Sequence, residues 1–133
     1  MSTSSKFIIV EHKAQRAGTH FDIRFKKPNS NIWDSFACRK DIPLEPGVKR
    51  MIIKTHPHSE KEALFTGTIS SGYGAGRLTK WDGGSCKILK YSNAHMIIDF
   101  SGSKIKGIYH IISMGMINKK FKGKTYLFFK GNK

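Results

Sequence analysis

The stretch Thr19-His20-Phe21-Asp22-Ile23-Arg24-Phe25 decides how the chain folds. Phe21, Ile23 and Phe25 alternate strictly with His20, Asp22 and Arg24. A period of two puts each set on its own face of a β-strand, because successive side chains point to opposite sides of the pleat. One face is apolar and fit for a core. The other carries an imidazole, a carboxylate and a guanidinium in one row, with neighbours about 7 Å apart at about 3.3 Å of rise per residue. An ordinary surface strand presents Lys, Glu, Thr or Ser there, so this row calls for a chemical explanation.

The strand signal recurs along the chain. Phe7 to Glu11, Arg50 to Thr55, Arg77 to Trp81, Cys86 to Tyr91, Met96 to Phe100, Lys106 to Met114 and Thr125 to Lys130 are short and rich in β-branched or aromatic residues. Pro28-Asn29-Ser30-Asn31, Glu45-Pro46-Gly47, Asp82-Gly83-Gly84, Ser101-Gly102-Ser103 and Lys122-Gly123-Lys124 read as the turns between them. Only Glu60 to Leu64 reads as a helical turn. About eight short strands at regular spacing predict an all-β fold, a compact single-domain β-barrel with little helix, rather than βαβ units. The domain is expected to span residues 1–133, with residues 1–5 and the basic tip Ile117 to Lys124 as its disordered segments.

A chain of 133 residues is long enough to bury a core without a disulfide or zinc staple. Its 24 Lys and Arg outnumber 9 Asp and Glu, for a formal net charge of +15. A folded domain this basic repels itself, and phosphate polyanions are the usual compensation, so nucleic acid is the expected partner. Apolar runs are short, as in Phe7-Ile8-Ile9-Val10, whereas a spanning helix needs about 20 residues. The polar opening Met1 to Lys6 holds no signal-peptide core. Cys38 and Cys86 stand alone, which suits a reducing interior. The expectation is an intracellular, cytoplasmic monomer with no membrane partner.

His12 precedes His20 across a stretch containing Gly18 that reads as a returning loop. Two His and one carboxylate with open positions are a common catalytic set for Zn, Mn or Fe. Spacing alone leaves a second reading open, in which three surface groups merely fall near each other. Further on, Arg50, Ile52, Lys54 and His56 share one face, Pro57 ends the strand, and His58 opens the next turn. Gly72, Gly74 and Gly76 precede a strand rather than a helix, so they mark a tight bend and not a nucleotide cradle. Cys38 and Cys86 read as buried hydrophobes, His95 and His110 as structural positions, and Trp33 and Trp81 as core or rim.

Taken together, these segments resemble the 3′-phosphoesterase domain of bacterial ligase D and its stand-alone archaeal relatives. The likeness runs from about Phe7 to Lys130. It rests on Glu11-His12 and His20-Phe21-Asp22-Ile23-Arg24, then Trp33-Asp34-Ser35-Phe36-Ala37 with Lys40 and Pro43, then Pro46-Gly47-Val48-Lys49-Arg50. It continues through His58, Phe65-Thr66-Gly67-Thr68-Ile69, Gly72-Tyr73-Gly74-Ala75-Gly76 and Trp81-Asp82-Gly83-Gly84. The resemblance implies a β-barrel with its active site on one side, and Mn²⁺-dependent removal of a 3′-terminal ribonucleoside from a primer-template. A 3′-phosphate is left, which a monoesterase step converts to a 3′-OH.

By resemblance, His12, His20 and Asp22 match the metal ligands, for Mn²⁺ or for Zn, Co or Cd. Arg24, Lys40 and Arg50 match groups around the scissile phosphate, and His58 matches a catalytic histidine there. The implied partners are primer-template 3′ ends and a separate DNA ligase or polymerase, in repair by non-homologous end joining. Two positions depart from the family pattern: Glu62 replaces a tyrosine and Val10 replaces a glutamine. They motivate the alternative expectation, a nucleic-acid-end-binding barrel that is inactive or weak as a catalyst.

Overall fold

A computed structural model describes residues 2–15, 18–72, 75–120 and 122–132. In chain order the elements are β1 (Thr3–Ala14), β2 (Gly18–Lys26), β3 (Ile32–Cys38), β4 (Lys49–Lys54), β5 (His58–Ser59), α1 (Glu60–Ala63), β6 (Gly67–Ile69), β7 (Gly76–Tyr91), β8 (His95–Ser101), β9 (Lys106–Asn118) and β10 (Gly123–Lys130). The strands lie antiparallel in the order β1-β2-β3-β4-β10-β9-β8-β7-β6, and β7 also pairs with β1. That last pairing closes an 8-strand barrel, with β5 attached to β3 and β6 to β7 outside the ring. The all-β barrel expected from the sequence is the fold observed. Closure leaves few free sheet edges, the main liability of an all-β chain.

The apolar faces point inward. Ile23 and Phe25 of β2, Phe36 of β3, Ile52 of β4 and Phe128 of β10 are fully buried in one central cluster. Phe36 meets Tyr126 edge-on at 5.2 Å between ring centroids, a favourable aromatic geometry. A second, smaller cluster lies on the outside of the wall. Ile8 and Val10 of β1, Trp33 of β3 and Leu78 of β7 are covered there by Ala63 of α1, with Ile69 of β6 packed against them. The segment β5-α1-β6 is thus an apolar flap over the outer surface of β1 and β3. No helix among the described residues is long and apolar enough to cross a membrane.

Three local expectations change. Ile32–Cys38 is a full strand that the alternation rule missed: it is buried on both faces from Trp33 to Phe36, so it shows no polar-apolar period. Asp82-Gly83-Gly84 is no turn but the middle of β7, where the register with β1 slips between Ile9 and Val10 and Trp81 is left out of the pairing. This is a β-bulge, which bends a long strand without ending it. Residues Thr3 to Ser5 belong to β1 and pair with Ile88, Lys87 and Cys86, and at the tip Ile117 and Asn118 belong to β9, Gly123 and Lys124 to β10, and Lys122 N–H donates to the Asn118 carbonyl at 2.7 Å. Phe121 and Met1 lie outside the described residues.

The bulge has a second purpose. The Asp82 carboxylate is buried and accepts backbone N–H bonds from Gly83 and Ser103 on Oδ1 and from Lys104 and Ile105 on Oδ2, all at 2.8–2.9 Å. It ties the β8–β9 connection to β7. Burial alone would raise its pKa, but these four donors outweigh that and hold it below the usual carboxylate value. The glycine bend is also confirmed at its described residues. A Cβ on Gly76 would collide with the Lys13 carbonyl oxygen, so only glycine allows β7 to start against β1.

Candidate active site

His12 sits directly across from His20 in the β1–β2 register, and Val10 across from Asp22. The polar row of β2 therefore shares the outer face of the barrel with the smaller apolar cluster. His20, Asp22 and Arg24 are buried at 8%, 6% and 5% exposure, and His12 at 9%. Charged groups are buried to this extent only when paired. Asp22 provides the pairing: its Oδ1 is 3.0 Å from His20 Nε2, and its Oδ2 is 3.0 Å from Arg24 Nη2 and 3.8 Å from His12 Nδ1. Burial alone would raise the Asp22 carboxyl. The two imidazoles and the charges of His20 and Arg24 outweigh it and hold the group far below the carboxylate range, so it stays ionised.

Arg24 is committed locally as well. Its Nη1 donates to the carbonyls of Ala63 at 3.0 Å and Glu62 at 3.3 Å, the open end of α1. The guanidinium thus ties the apolar flap to the carboxylate beneath it.

Four buried side-chain polar atoms lack any hydrogen-bond partner among the described residues: His20 Nδ1, Arg24 Nε, Trp33 Nε1 and Ser35 Oγ. All four belong to the outer faces of β2 and β3, and Arg24 and Ser35 are register partners. Such atoms are rare in folded proteins, and their concentration in one patch points to a missing polar ligand. The donor set suits a cation on the imidazole side. The His20 tautomer that donates from Nε2 to Asp22 Oδ1 leaves a bare lone pair on Nδ1. One ligand atom each from His12, His20 and Asp22 lie within 4.8 Å of one another. Two nitrogens and an oxygen at that spacing fit a divalent transition metal, with room for further ligands. On the arginine side, the unused Nε–H and the Ser35 hydroxyl are donors suited to an oxyanion.

The other sequence-predicted residues fall around this centre unevenly. His58, in β5, lines a recess of about 350 Å³ with Arg24, Glu62 and Leu78. Burial first, and the nearby Arg24 charge second, lower its pKa below the ordinary 6.5, so it is neutral at pH 7. His56 lines a different recess, shared with His20. Arg50 shares the inward parity of Ile52 and lines a recess with Phe21 and Trp81, where its Nε donates to the Asp41 carbonyl at 2.8 Å. Lys40 is exposed just past β3, and its carbonyl accepts from Cys38 Sγ. Arg39, which sequence reasoning passed over, lines the His20 recess together with Lys54, Lys122 and Lys124. Its parity with Ala37, Ser35 and Trp33 would have revealed it once β3 was recognised.

Glu62, the substituted tyrosine position, is occupied in helix capping. Its Oε1 accepts from the Ser59 N–H at 3.0 Å while the Ser59 hydroxyl accepts from the Glu62 N–H at 3.3 Å. Cys38 and Cys86 are buried, and burial pushes the Cys86 thiol up to about 12, so it is chemically quiet.

The closed antiparallel barrel thus carries a His-His-Asp-Arg cluster on its outer wall. The chain belongs to the DNA ligase D 3′-phosphoesterase domain family, whose model matches residues 10–113. It is 31% identical over 136 residues to the multifunctional non-homologous end joining protein LigD of Mycolicibacterium smegmatis, covering 93% of this chain and 16% of that protein. The corresponding protein of Mycobacterium bovis is 33% identical over 111 residues, covering 80% of this chain and 14% of that one. That of Pseudomonas aeruginosa is 29% identical over 121 residues, covering 86% and 14%. The chain thus spans about a sixth or less of the length of these relatives.

Proposed function

We propose that this domain is a metal-dependent phosphoesterase that heals 3′ ends in DNA repair by non-homologous end joining. It would remove a 3′-terminal ribonucleoside to leave a 3′-phosphate, and then release that phosphate to leave a 3′-OH. The observation that carries this reading is the patch of buried, partnerless polar atoms beside an ionised carboxylate and two imidazoles. Sealing and gap filling would fall to a DNA ligase and a polymerase outside this domain.

His12, His20 and Asp22 would hold Mn²⁺, or Zn, Co or Cd in its place. Mn²⁺ would supply a Lewis acid that neutralises charge on the phosphate oxygens. Arg24 Nε and Ser35 Oγ would donate to those oxygens from a buried position, where such bonds count for more than in water. Asp22 fixes the His20 tautomer and the Arg24 fork at once, so both donors are set before substrate arrives. His58, neutral when the site is empty, would orient the phosphoryl group by N–H donation. It becomes a general acid for the leaving oxygen only if the bound phosphate's charge restores its proton. Arg50 and Lys40 would approach substrate from outside this buried centre.

The test is a 5′-labelled primer-template with one 3′-terminal ribonucleotide, incubated with Mn²⁺ or with EDTA. The expected result is Mn²⁺-dependent shortening that His12→Ala, His20→Ala and Asp22→Ala each abolish. Retained shortening in all three variants removes the ligand assignment. A second reading has its own observation: both Arg24 amino groups and the Glu62 carboxylate are engaged in structural bonds. On that reading the barrel binds 3′ ends with no hydrolysis under any metal.

A further inference from the structure

A recess of about 680 Å³ opens beside His20. Its floor includes Ala37 of β3 and Ile53 of β4. Its cationic lining comes from Arg39 after β3, Lys54 of β4, and Lys122 and Lys124 around the start of β10. No carboxylate lines it among the described residues. These strands are consecutive in the barrel wall, in the order β2-β3-β4-β10. The recess therefore crosses four neighbouring strands of the wall, beginning at the proposed metal ligand and ending on the β9–β10 hairpin.

We infer that this recess holds the phosphodiester backbone of the strand whose 3′ end lies at the His12–His20–Asp22 cluster, with Lys122 and Lys124 gripping it several nucleotides from the end. The inference rests on the phosphoesterase reading for the position of the 3′ end, and it adds the path of the strand. Three inter-strand steps of about 4.8 Å span about 14 Å. Along a duplex axis at 3.4 Å per nucleotide, that is about four steps. The hairpin is built to hold its cations in place: Lys122 adopts φ 56° at the tip, and a Cβ on the following Gly123 would meet the Lys54 carbonyl oxygen, so the turn packs directly on β4. A floor of Ala37 and Ile53 with a cationic rim suits sugars and phosphates, and no base-reading groups are required of it.

The experiment is fluorescence anisotropy on the intact chain with a labelled primer-template ending in one ribonucleotide, titrated with salt in EDTA so that no turnover contributes. Lys122→Gln/Lys124→Gln should weaken binding about tenfold and lower the slope of log K against log salt by about 1.8, or 0.9 per lost phosphate contact. The charge-matched control is Lys87→Gln/Lys106→Gln, both exposed, with Lys106 at the far end of β9. It should leave the slope within about 0.5 of the parent. Equal losses in the two double variants, or none in the hairpin one, overturn the inference, and circular dichroism confirms that both remain folded. Because binding is read without metal, a chain that binds through the recess yet never hydrolyses would sink the phosphoesterase reading alone. A chain that hydrolyses while its salt slope ignores Lys122 and Lys124 would sink the strand path alone.

Discussion

Two buried aspartates, Asp22 and Asp82, face opposite tasks in the same barrel. Both are nearly inaccessible, at 6% and 4% exposure, and both are held ionised against the penalty of burial. Asp82 achieves this with four backbone N–H donors, and no buried side-chain polar atom around it is left without a partner among the described residues. Asp22 achieves it with side chains, two imidazoles and a guanidinium, and its neighbours keep unmet hydrogen-bonding capacity. A carboxylate satisfied by backbone is a joint in the fold. A carboxylate satisfied by titratable side chains, with partnerless atoms beside it, is a site awaiting a ligand.

The sharpest way to break this contrast is to neutralise each carboxylate. Asp22→Asn should lower metal-dependent turnover by about three orders of magnitude, equivalent to about 4 kcal/mol of transition-state stabilisation, measured on the ribonucleotide-ended primer. Its thermal midpoint should move less than that of Asp82→Asn; the reverse order would make Asp22 structural. Asp82→Ala leaves four backbone N–H donors without their acceptor, one of them buried, and should destabilise by more than about 3 kcal/mol, read from urea unfolding. Gly102→Ala comes next. An added Cβ would meet the Asp82 carboxylate and the Phe7 ring at under 3.0 Å, so a loss of about 1–3 kcal/mol is expected with metal affinity unaltered.

The smallest effect is one of pH. The His58 pKa is lowered, so its neutral form persists below the ordinary 6.5. Stability arising from that depressed value is present above the unfolded-state pKa and lost as pH falls through the folded one. The acid side of the stability curve below pH 6.5 should therefore flatten in His58→Gln, followed by thermal melting from pH 7 to pH 4. Asp22 and Asp82 act at lower pH with the same sign. Their stabilisation is full above the unfolded-state value near 3.8 and is lost below it, so the steep part of acid unfolding should lie under that value.

Most of the barrel was legible because each amphipathic strand advertises its inner face. β2 is the clearest case, with Ile23 and Phe25 against Asp22 and Arg24. β3 was hidden because the flap buries its outer face too, which erases the period that sequence reasoning relies on. The bend in β7 looked like a turn since Asp82-Gly83-Gly84 has turn chemistry, and only the pairing with β1 shows the bulge.

By itself, the sequence determined the all-β class, the basic charge that calls for a polyanion, and the row His20, Asp22, Arg24 on one face. Those follow from local periodicity and composition. The tertiary structure alone decided that His12 lies across from His20, and that the segment from His58 to Ile69 packs on the outer apolar cluster and accepts from Arg24. It alone decided that Arg39 and the distant Lys122 and Lys124 share a recess with His20 while Arg50 lines another. The reason is closure. Which residues meet on the outside of a barrel depends on strand order and register, and those are settled only when β7 finds β1.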